Sequence, residues 1–529
     1  MPAITRTSAA QYLYLFGLFL LAASLPFSKF LMSNAQIILL FSWLLDGNLI
    51  SKLKSFAKNK IALAISSIYI LHLIGLLYTS DFDYGLNDVK IKVPLLLLPL
   101  IISTAPPVSN SVFEKILSVF VLSVAAASFI CFYVLLGYSG RQVLQARDAS
   151  IFTSHIRFGL MMCLSVFILG YFIYSREALW LRALFSVFIL WFILFMLMME
   201  SETGLACTAA ASFILIIRLI FQTKKIAVKI SFAGAIILAC IGTYFYLSSL
   251  ARENSTAISI NKKNLPSLTK NGNTYSHDTL NSQTENGNYV WLCVCEKELA
   301  DEWNKRSRLD FSGKDLKGNE LKYTAIRFLA SKGLTKDSSG AASLSEKEIG
   351  AIEKGIANVN DMAVFNPSGR IKKIMWELNI YLHGGNPTGY SVAQRFEFWK
   401  TGAAIMKENL LFGVGTGDTQ KAFKEEYSKM NSPLDEKWRL RSHNQFLAIG
   451  TAFGIIGLIW FLISLFYPLF AKKNYRDYFY LVFFVIAVLS MTAEDTLETQ
   501  AGVTFFSFFS SLFLFARKRQ QFILNLDPD

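Results

Sequence analysis

The chain has 529 residues, of which 53% are hydrophobic and only 17% are charged. Its apolar residues form long runs, such as 183–199, 232–250 and 444–470, that approach or exceed the roughly 20 residues needed to cross a bilayer. This composition excludes disordered, collagen-like and disulfide-stabilised classes. It predicts an all-α polytopic membrane protein.

The formal net charge of +14 does not indicate a nucleic-acid partner. Residues 252–441 carry 28 lysines and arginines against 23 acidic residues, and the other basic residues lie at the ends of apolar runs, where membrane topology accounts for them. The cysteines and histidines show no zinc-ligand spacing. We therefore predict no nucleic-acid partner, no metal and no cofactor.

About twelve transmembrane helices are predicted from the apolar runs, with boundaries soft by a few residues. They cover residues 11–31, 34–50, 61–78, 92–104, 112–137, 156–175, 182–199, 204–221, 227–250, 444–470, 478–493 and 501–516. The fourth is short and contains Pro94 and Pro99, which suits a re-entrant segment. A crossing by a broken helix is nevertheless favoured, because a crossing here keeps the later basic clusters on one face of the membrane.

The distribution of basic residues sets the expected orientation. With both termini in the cytoplasm, the inner connections hold Lys52, Lys54, Lys58, Lys60, Arg176, Arg182, Lys224, Lys225, Lys229, Lys472, Lys473 and Arg476. This arrangement satisfies the positive-inside rule. It places transmembrane helices 1–9 in residues 1–250, helices 10–12 in residues 444–516, and a cytoplasmic tail at 517–529.

Residues 251–443, between helices 9 and 10, are then a large loop on the outer face. Residues 254–288 are rich in Asn, Ser and Thr and predict a linker. A small folded region is expected over 289–360, with a strand-like segment at 289–294 and a helix that Ser345 and Glu348 open in capping-box spacing. Amphipathic helices are predicted within 370–409.

Three arginines, Arg141, Arg147 and Arg157, cluster with His155 in one short outer connection. They could contact lipid headgroups. Alternatively, they neutralise an anionic substrate, because the planar guanidinium pairs two phosphate oxygens at once. Acidic residues also collect outside, at Asp81, Asp83, Glu200, Glu202, Glu494, Asp495 and Glu498. Roles as topogenic or solvated-loop residues are favoured over a metal site for them.

Arg441-Ser442-His443-Asn444 lies immediately before the tenth predicted span. An imidazole there can exchange protons while partly desolvated, although a histidine at a helix start is also a common cap or interfacial residue. Upstream, Arg395 and Trp399 share one helical face and form either a packing pair or a platform for an anion and a sugar. The following run Gly413-Val414-Gly415-Thr416-Gly417 lacks a P-loop ending and predicts a tight turn.

The long late loop, the Arg395 to Gly417 segment and His443-Asn444 opening a Gly-containing span, in this order, resemble the O-antigen ligase and O-antigen polymerase family of bacterial envelope glycosyltransferases. The resemblance is most specific over 391–457. It implies a GT-C-like fold and a multi-pass protein of the bacterial inner membrane, with the large loop in the periplasm. It also implies a metal-independent glycosyltransferase that moves a glycan from undecaprenyl pyrophosphate to an acceptor hydroxyl, such as lipid A-core.

By this resemblance His443 takes the position of the family's catalytic histidine, and Arg395 that of the loop arginine that contacts the donor pyrophosphate. The chemistry of the substrate then predicts that His443 is the base of an inverting transfer and that Arg395, with Arg441, stabilises the leaving pyrophosphate. Glu202 stands where the family usually has an arginine, and Arg141, Arg147 or Arg157 could supply that charge. Trp399, Glu202 and Asn444 are candidate substrate or sugar contacts. The expected partners are therefore the lipid-linked donor, a glycan acceptor and membrane lipids.

Three alternatives stay open at the level of sequence. The first is another enzyme with the same donor chemistry, either an O-antigen or exopolysaccharide polymerase or an enzyme that transfers the glycan to a protein hydroxyl. The second is a polytopic transporter or flippase, although transporters tend to carry their ionisable residues near the membrane midplane. The third is a non-catalytic scaffold whose outer region binds a partner.

Overall fold

The computed structural model describes residues 6–141, 143, 145–222, 226–255, 265–281, 283–362, 367–382 and 384–517, and its regular structure is almost entirely α-helical. The chain divides into two compact units. The first comprises Met1–Arg141, Arg147–Lys229 and Asn386–Asp529, and the second comprises Gln142–Ala146 and Ile230–Gly385.

The helices of the first unit carry most of the apolar runs. Before the large loop they are α1 (Arg6–Ser24), α2 (Lys29–Leu45), α3 (Leu49–Lys58), α4 (Lys60–Gly75), α5 (Phe82–Lys92), α6 (Pro94–Thr104), α7 (Asn110–Leu135), α8 (His155–Ser175), α9 (Leu179–Met198) and α10 (Glu202–Gln222). The next helix, α11 (Ile226–Ser255), lies mostly in the second unit.

The remaining elements follow in chain order. The second unit contains β1 (Thr284–Glu285), β2 (Asn288–Tyr289), α12 (Glu296–Arg306), α13 (Leu321–Ser331), α14 (Ser338–Ala342), α15 (Glu346–Glu353) and α16 (Pro367–Leu382). The first unit resumes with α17 (Ser391–Glu408), α18 (Thr419–Lys429), α19 (Gln445–Phe470), α20 (Tyr478–Ala493) and α21 (Gln500–Phe515).

Within the described residues, seven helices are long and apolar enough to cross a membrane, or eight if the bent pair α2 and α3 counts as one span. This supports an all-α membrane protein, while the number twelve and the GT-C-like fold stay predictions. Several predicted spans are shorter or broken in the structure. At the fourth, the chain breaks before Pro94, and the 11 residues of α6 extend only about 16 Å.

The core of the first unit is rich in phenylalanine. Helix α21 is the most enclosed element, because every residue from Ala501 to Leu514 is buried. Its Phe509 and Phe513 pack against aromatic rings of α7 and α20, with ring centroids 4.8 to 6.1 Å apart. Such dense aromatic packing holds α7, α20 and α21 together, and the C-terminal end of α20 leads directly into the candidate site.

Helix α19 is interrupted at Gly454, whose φ of 64° lies in the left-handed region. The turn over residues 410–417 fills this interruption. Its Gly415 amide donates a hydrogen bond to the Ala452 carbonyl at 2.8 Å. The turn also reaches α4, where the Thr416 hydroxyl donates to a backbone carbonyl at 2.7 Å.

This close approach explains the glycine run. A Cβ atom on Gly413 would lie 2.4 Å from the Ala452 carbonyl carbon, and one on Gly454 would lie 2.4 Å from the Leu411 carbonyl carbon. No side chain fits at either position. The run is therefore a tight, backbone-packed turn, as predicted, and not a nucleotide cradle.

The second unit has its own small core, in which Trp303 and Phe328 are almost fully buried. The capping box of Ser345 and Glu348 at the start of α15 is confirmed. The predicted strand-like segment is mostly turn, since β2 ends at Tyr289. In the segment predicted as a linker, the side chains of residues 269, 271 and 273 donate hydrogen bonds to the Glu298 carboxylate.

Candidate functional site

His443 lies at the N-terminal end of α19 in an unusual backbone conformation. Its φ of 44° is in the left-handed region, which costs a non-glycine residue about 1–3 kcal/mol. The conformation is held on both sides. Ser442 is fully buried, and Asn444 caps α19 by accepting a hydrogen bond from the Leu447 amide at 3.1 Å. Strain maintained in this way is typical of functional positions.

The carboxylate of Glu494, directly after α20, joins two of the predicted site residues. Its Oε2 lies 3.3 Å from His443 Nδ1, and its Oε1 lies 3.5 Å from the Arg395 guanidinium of α17. Phe398 of α17 packs beside the imidazole, with ring centroids 5.5 Å apart. The structure thus brings His443 and Arg395 together through a buried acid.

These neighbours raise the pKa of His443 above its usual value of 6.5. Burial lowers this pKa, but the hydrogen bond and charge of Glu494, with the charge of Asp495, outweigh that effect. Conversely, His443 and Arg395 hold the pKa of Glu494 below its usual value, although burial acts to raise it. Because Nδ1 faces the carboxylate, Nε2 is the nitrogen oriented for proton exchange.

A second network of buried charged side chains adjoins residues 441–444, here called the His443 loop. The Arg441 guanidinium lies 3.5 Å from Asp495 and 3.4 Å from Glu498. Glu498 also contacts Lys92 Nζ at 2.8 Å, and this ammonium contacts Asp88 at 2.6 Å. The Lys92 side chain is fully buried. Each charged group in this series of ion pairs is stabilised by its neighbour, because an unpaired buried charge is strongly destabilising.

Three of these side chains could also hold a cation. His443, Glu494 and Asp495 each place one possible ligand atom within 4.8 Å of the others. However, both carboxylates already have an arginine at 3.5 Å, from Arg395 and Arg441 respectively. Their charge is therefore balanced by the protein's own side chains, and the arrangement favours a guanidinium-based site over a metal centre.

Trp399 lies one turn after Arg395 on α17 and serves partly as a packing residue. It is half-buried against the small core that α17 and α18 share, and its ring meets Phe396 edge-on at 5.7 Å. Its indole Nε1 is buried and has no hydrogen-bond partner among the described residues. Both alternatives from the sequence, packing and ligand contact, therefore remain compatible with its position.

Arg157, in the first turn of α8, is electrostatically part of the site. It acts on the Glu494 carboxylate and donates a hydrogen bond to the Ser154 hydroxyl at 3.1 Å. No carboxylate lies within 4.0 Å of it in the described part of the chain. The charges of Arg395 and Arg441 are balanced by carboxylates within 4.0 Å. The charge of Arg157 is not balanced in this way among the described residues.

Three further predicted site residues, Arg147, Glu202 and Arg141, differ in how they relate to the His443 site. Arg147 pairs with Glu200 at 3.1 Å. Glu202 begins α10, is half-buried and interacts electrostatically with His155. Arg141 is exposed, and among the described residues no ion pair joins it to the cluster. Arg147 and Glu202 both act electrostatically on His155, on which Glu494 acts as well.

Sequence reasoning missed the acids that organise the site. Glu494, Asp495 and Glu498 were expected to be topogenic or solvated, but their side chains are at most 10% exposed and are paired with basic side chains. The solvated-loop interpretation is wrong for them, because their carboxylates contact Arg395 of α17 and the side chains of Arg441 and His443. A usable signal was the density of three acids in five residues directly after an apolar run.

Residues 362–462 match the family model described as O-Antigen ligase. This match covers 101 of the 529 residues, here called the O-antigen ligase segment, and supports the O-antigen ligase and polymerase family. None of the curated proteins compared with the chain matches it. The O-antigen ligase segment contains Arg395, Trp399, Arg441, His443 and Asn444, whereas the acids that contact them follow it. With the apolar helices, the match supports a membrane glycosyltransferase of the O-antigen ligase or polymerase type.

Proposed function

We propose that this protein is an inner-membrane ligase of the O-antigen type. It transfers a glycan from undecaprenyl pyrophosphate to an acceptor hydroxyl, such as that of lipid A-core, on the periplasmic face. The observation that carries the proposal is the Glu494 carboxylate held between His443 and Arg395, inside or adjoining the O-antigen ligase segment. This arrangement supplies a base and a cationic group at one place.

In the proposed reaction, His443 Nε2 takes the proton of the acceptor hydroxyl. The acceptor oxygen forms a bond to the anomeric carbon from the face opposite the phosphate, and the sugar–phosphate bond breaks. The leaving diphosphate keeps the bonding electrons, so the transfer inverts the anomeric configuration. Glu494 holds the ring at Nδ1 and stabilises the imidazolium that forms.

The diphosphate requires positive charge as it leaves. Arg395 and Arg441 are the cationic residues nearest to His443 in the network, but each faces carboxylates in the present geometry. We propose that Arg157 supplies the additional charge, and that Arg147 and Arg141 of the same outer connection are the further candidates for it. Arginine suits a diphosphate because each guanidinium can bind two oxygens.

The test is glycan transfer in vitro with purified full-length protein and a lipid-linked donor, with and without a chelator. Replacing His443 with Ala should lower the rate by at least about 10²- to 10³-fold, the loss typical of one preorganised catalytic group. His277, in the second unit, provides the control, and H277A should retain transfer. Normal transfer by a folded H443A variant would overturn the proposal.

The acceptor is tested in cells. A ligase defect leaves long glycan chains on the lipid carrier, so a strain lacking the protein should accumulate unattached polymer. Single repeat units attached to the core would instead identify a polymerase, which uses the same donor chemistry. Complementation with H443A should fail in either case, whereas complementation with H277A should succeed.

A further inference from the structure

The tip of the turn between α17 and α18 exposes three consecutive large apolar side chains. Leu410, Leu411 and Phe412 are 53%, 56% and 61% exposed. A run of this kind on a water-facing loop would be unfavourable, because it leaves a large apolar surface in contact with water. The surroundings of the tip indicate what covers it.

The backbone of this tip is hydrogen-bonded to the middle of α19, a candidate membrane span. The Ile455 amide donates to the Leu410 carbonyl at 2.7 Å, and the Ile456 amide donates to the Leu411 carbonyl at 3.4 Å. Ile455 is ten residues into α19, or about 15 Å along the helix axis. Irregular backbone is stable at such a depth only where protein satisfies its hydrogen bonds, as here.

The tip also continues an exposed apolar surface of two neighbouring spans. The exposed members on and beside α4 are Ile70, Leu73, Ile74 and Leu77, and those on α19 are Ile456, Ile459 and Ile463. The Tyr78 hydroxyl donates to the Phe412 carbonyl at 2.8 Å and fixes the tip against this surface. Both spans meet the length and hydropathy requirements for crossing a bilayer.

We propose that residues 410–412 form a membrane-inserted tip whose side chains contact the hydrocarbon of bilayer lipids. The occupant is lipid because the tip is continuous with helix faces that lie in hydrocarbon. The turn is then a short re-entrant element within the loop that joins the ninth and tenth predicted spans. It anchors the C-terminal end of α17 in the bilayer, independently of the reaction that the site performs.

The test uses site-directed spin labelling of the full-length protein in phospholipid vesicles, with its six cysteines replaced by alanine. A nitroxide at Leu411→Cys should collide often with oxygen and rarely with a water-soluble nickel chelate. Its oxygen-to-nickel accessibility ratio should match that of a label at Ile463→Cys, which is 62% exposed on α19. A label at Lys424→Cys, whose native side chain is 75% exposed on α18, provides the aqueous reference.

Two results would overturn the proposal. A ratio equal to that at Lys424→Cys would place the tip in water. Low accessibility to both reagents would show that protein covers it, as in contact with a second copy of the chain. A label at Phe412→Cys is measured in parallel, so that the test stands if one variant does not fold. Glycan transfer is not part of this readout, and its loss would leave the result unchanged.

Discussion

At the residue scale, Glu494 controls the protonation of His443. The pKa of His443 is raised because this carboxylate outweighs the effect of burial. A general base acts in its neutral form, so activity should fall as the pH decreases through this raised pKa. Replacing Glu494 with Gln removes the negative charge, so burial then lowers the pKa. We expect the acid limb of the kcat/KM profile to move to lower pH and the maximal rate to fall.

The matched control for this change is Glu425→Gln, because Glu425 is an exposed glutamate on α18. Its pH profile should coincide with that of the native protein. The measurement is the pH dependence of glycan transfer by E494Q and E425Q in the same vesicles. An acid limb that stays at the native pH in active E494Q would show that Glu494 does not set the pKa of the catalytic group.

Lys92 carries the second residue-scale prediction. Its fully buried ammonium contacts both Asp88 and Glu498, and Glu498 in turn contacts Arg441. Lys92→Met leaves two buried carboxylates without this partner and should cost about 3–5 kcal/mol of stability. Thermal unfolding in detergent measures the loss, with Lys90→Met as the control because Lys90 is exposed on the same helix. Equal unfolding temperatures for both variants would contradict the role of Lys92.

The same residues show what sequence could predict about the site. His443 stood out because it directly precedes an apolar run, and Arg395 because it shares one face of an amphipathic helix with Trp399. Glu494 did not, because its partner His443 is 51 positions away and only the packing of α17, α19 and α20 brings them together. The Asp88–Lys92 pair, four residues apart on one helix, was available from spacing alone.

At the element scale, helices that depend on local signals were predicted well, whereas breaks caused by distant segments were not. The cap of α15 needs only Ser345 and Glu348, so its spacing was sufficient. The interruption of α19 at Gly454 accommodates the turn over residues 410–417, which is hydrogen-bonded to α19 there. A hydropathy pattern cannot reveal a contact between segments so far apart in sequence. Tertiary contacts of this kind override helix propensity.

The break makes Gly454 a sensitive position. A Cβ there would lie 2.4 Å from the Leu411 carbonyl carbon, and φ would stay at an unfavourable 64° for alanine. Gly454→Ala should therefore destabilise the protein by about 1–3 kcal/mol or more. Gly170→Ala on α8 is the control, since its new Cβ would meet only the Tyr478 hydroxyl at 3.8 Å. A G454A variant that unfolds at the temperature of G170A would contradict this account of the break.

At the scale of the whole molecule, composition determined the class but not the number of crossings. Long apolar runs predict membrane helices, and seven or eight helices of the described residues meet that requirement. Runs interrupted by Pro94 or by the Asp46-Gly47-Asn48 bend divide into shorter helices, which hydropathy alone counts as continuous segments. The distribution of Lys and Arg in the connecting segments is not changed by such breaks. It is therefore a stronger argument for the orientation of the protein than hydropathy is.

Orientation is tested by cysteine labelling in intact cells, in the cysteine-free background. Lys473 lies with Lys472 and Arg476 in a predicted cytoplasmic connection, whereas Asp310 lies in the predicted periplasmic loop. A membrane-impermeant maleimide should label Asp310→Cys directly and Lys473→Cys only after the inner membrane is permeabilised. The reverse pattern would put His443 on the cytoplasmic side. A catalytic base there could not reach a donor presented in the periplasm, and the proposed transfer would have to be abandoned.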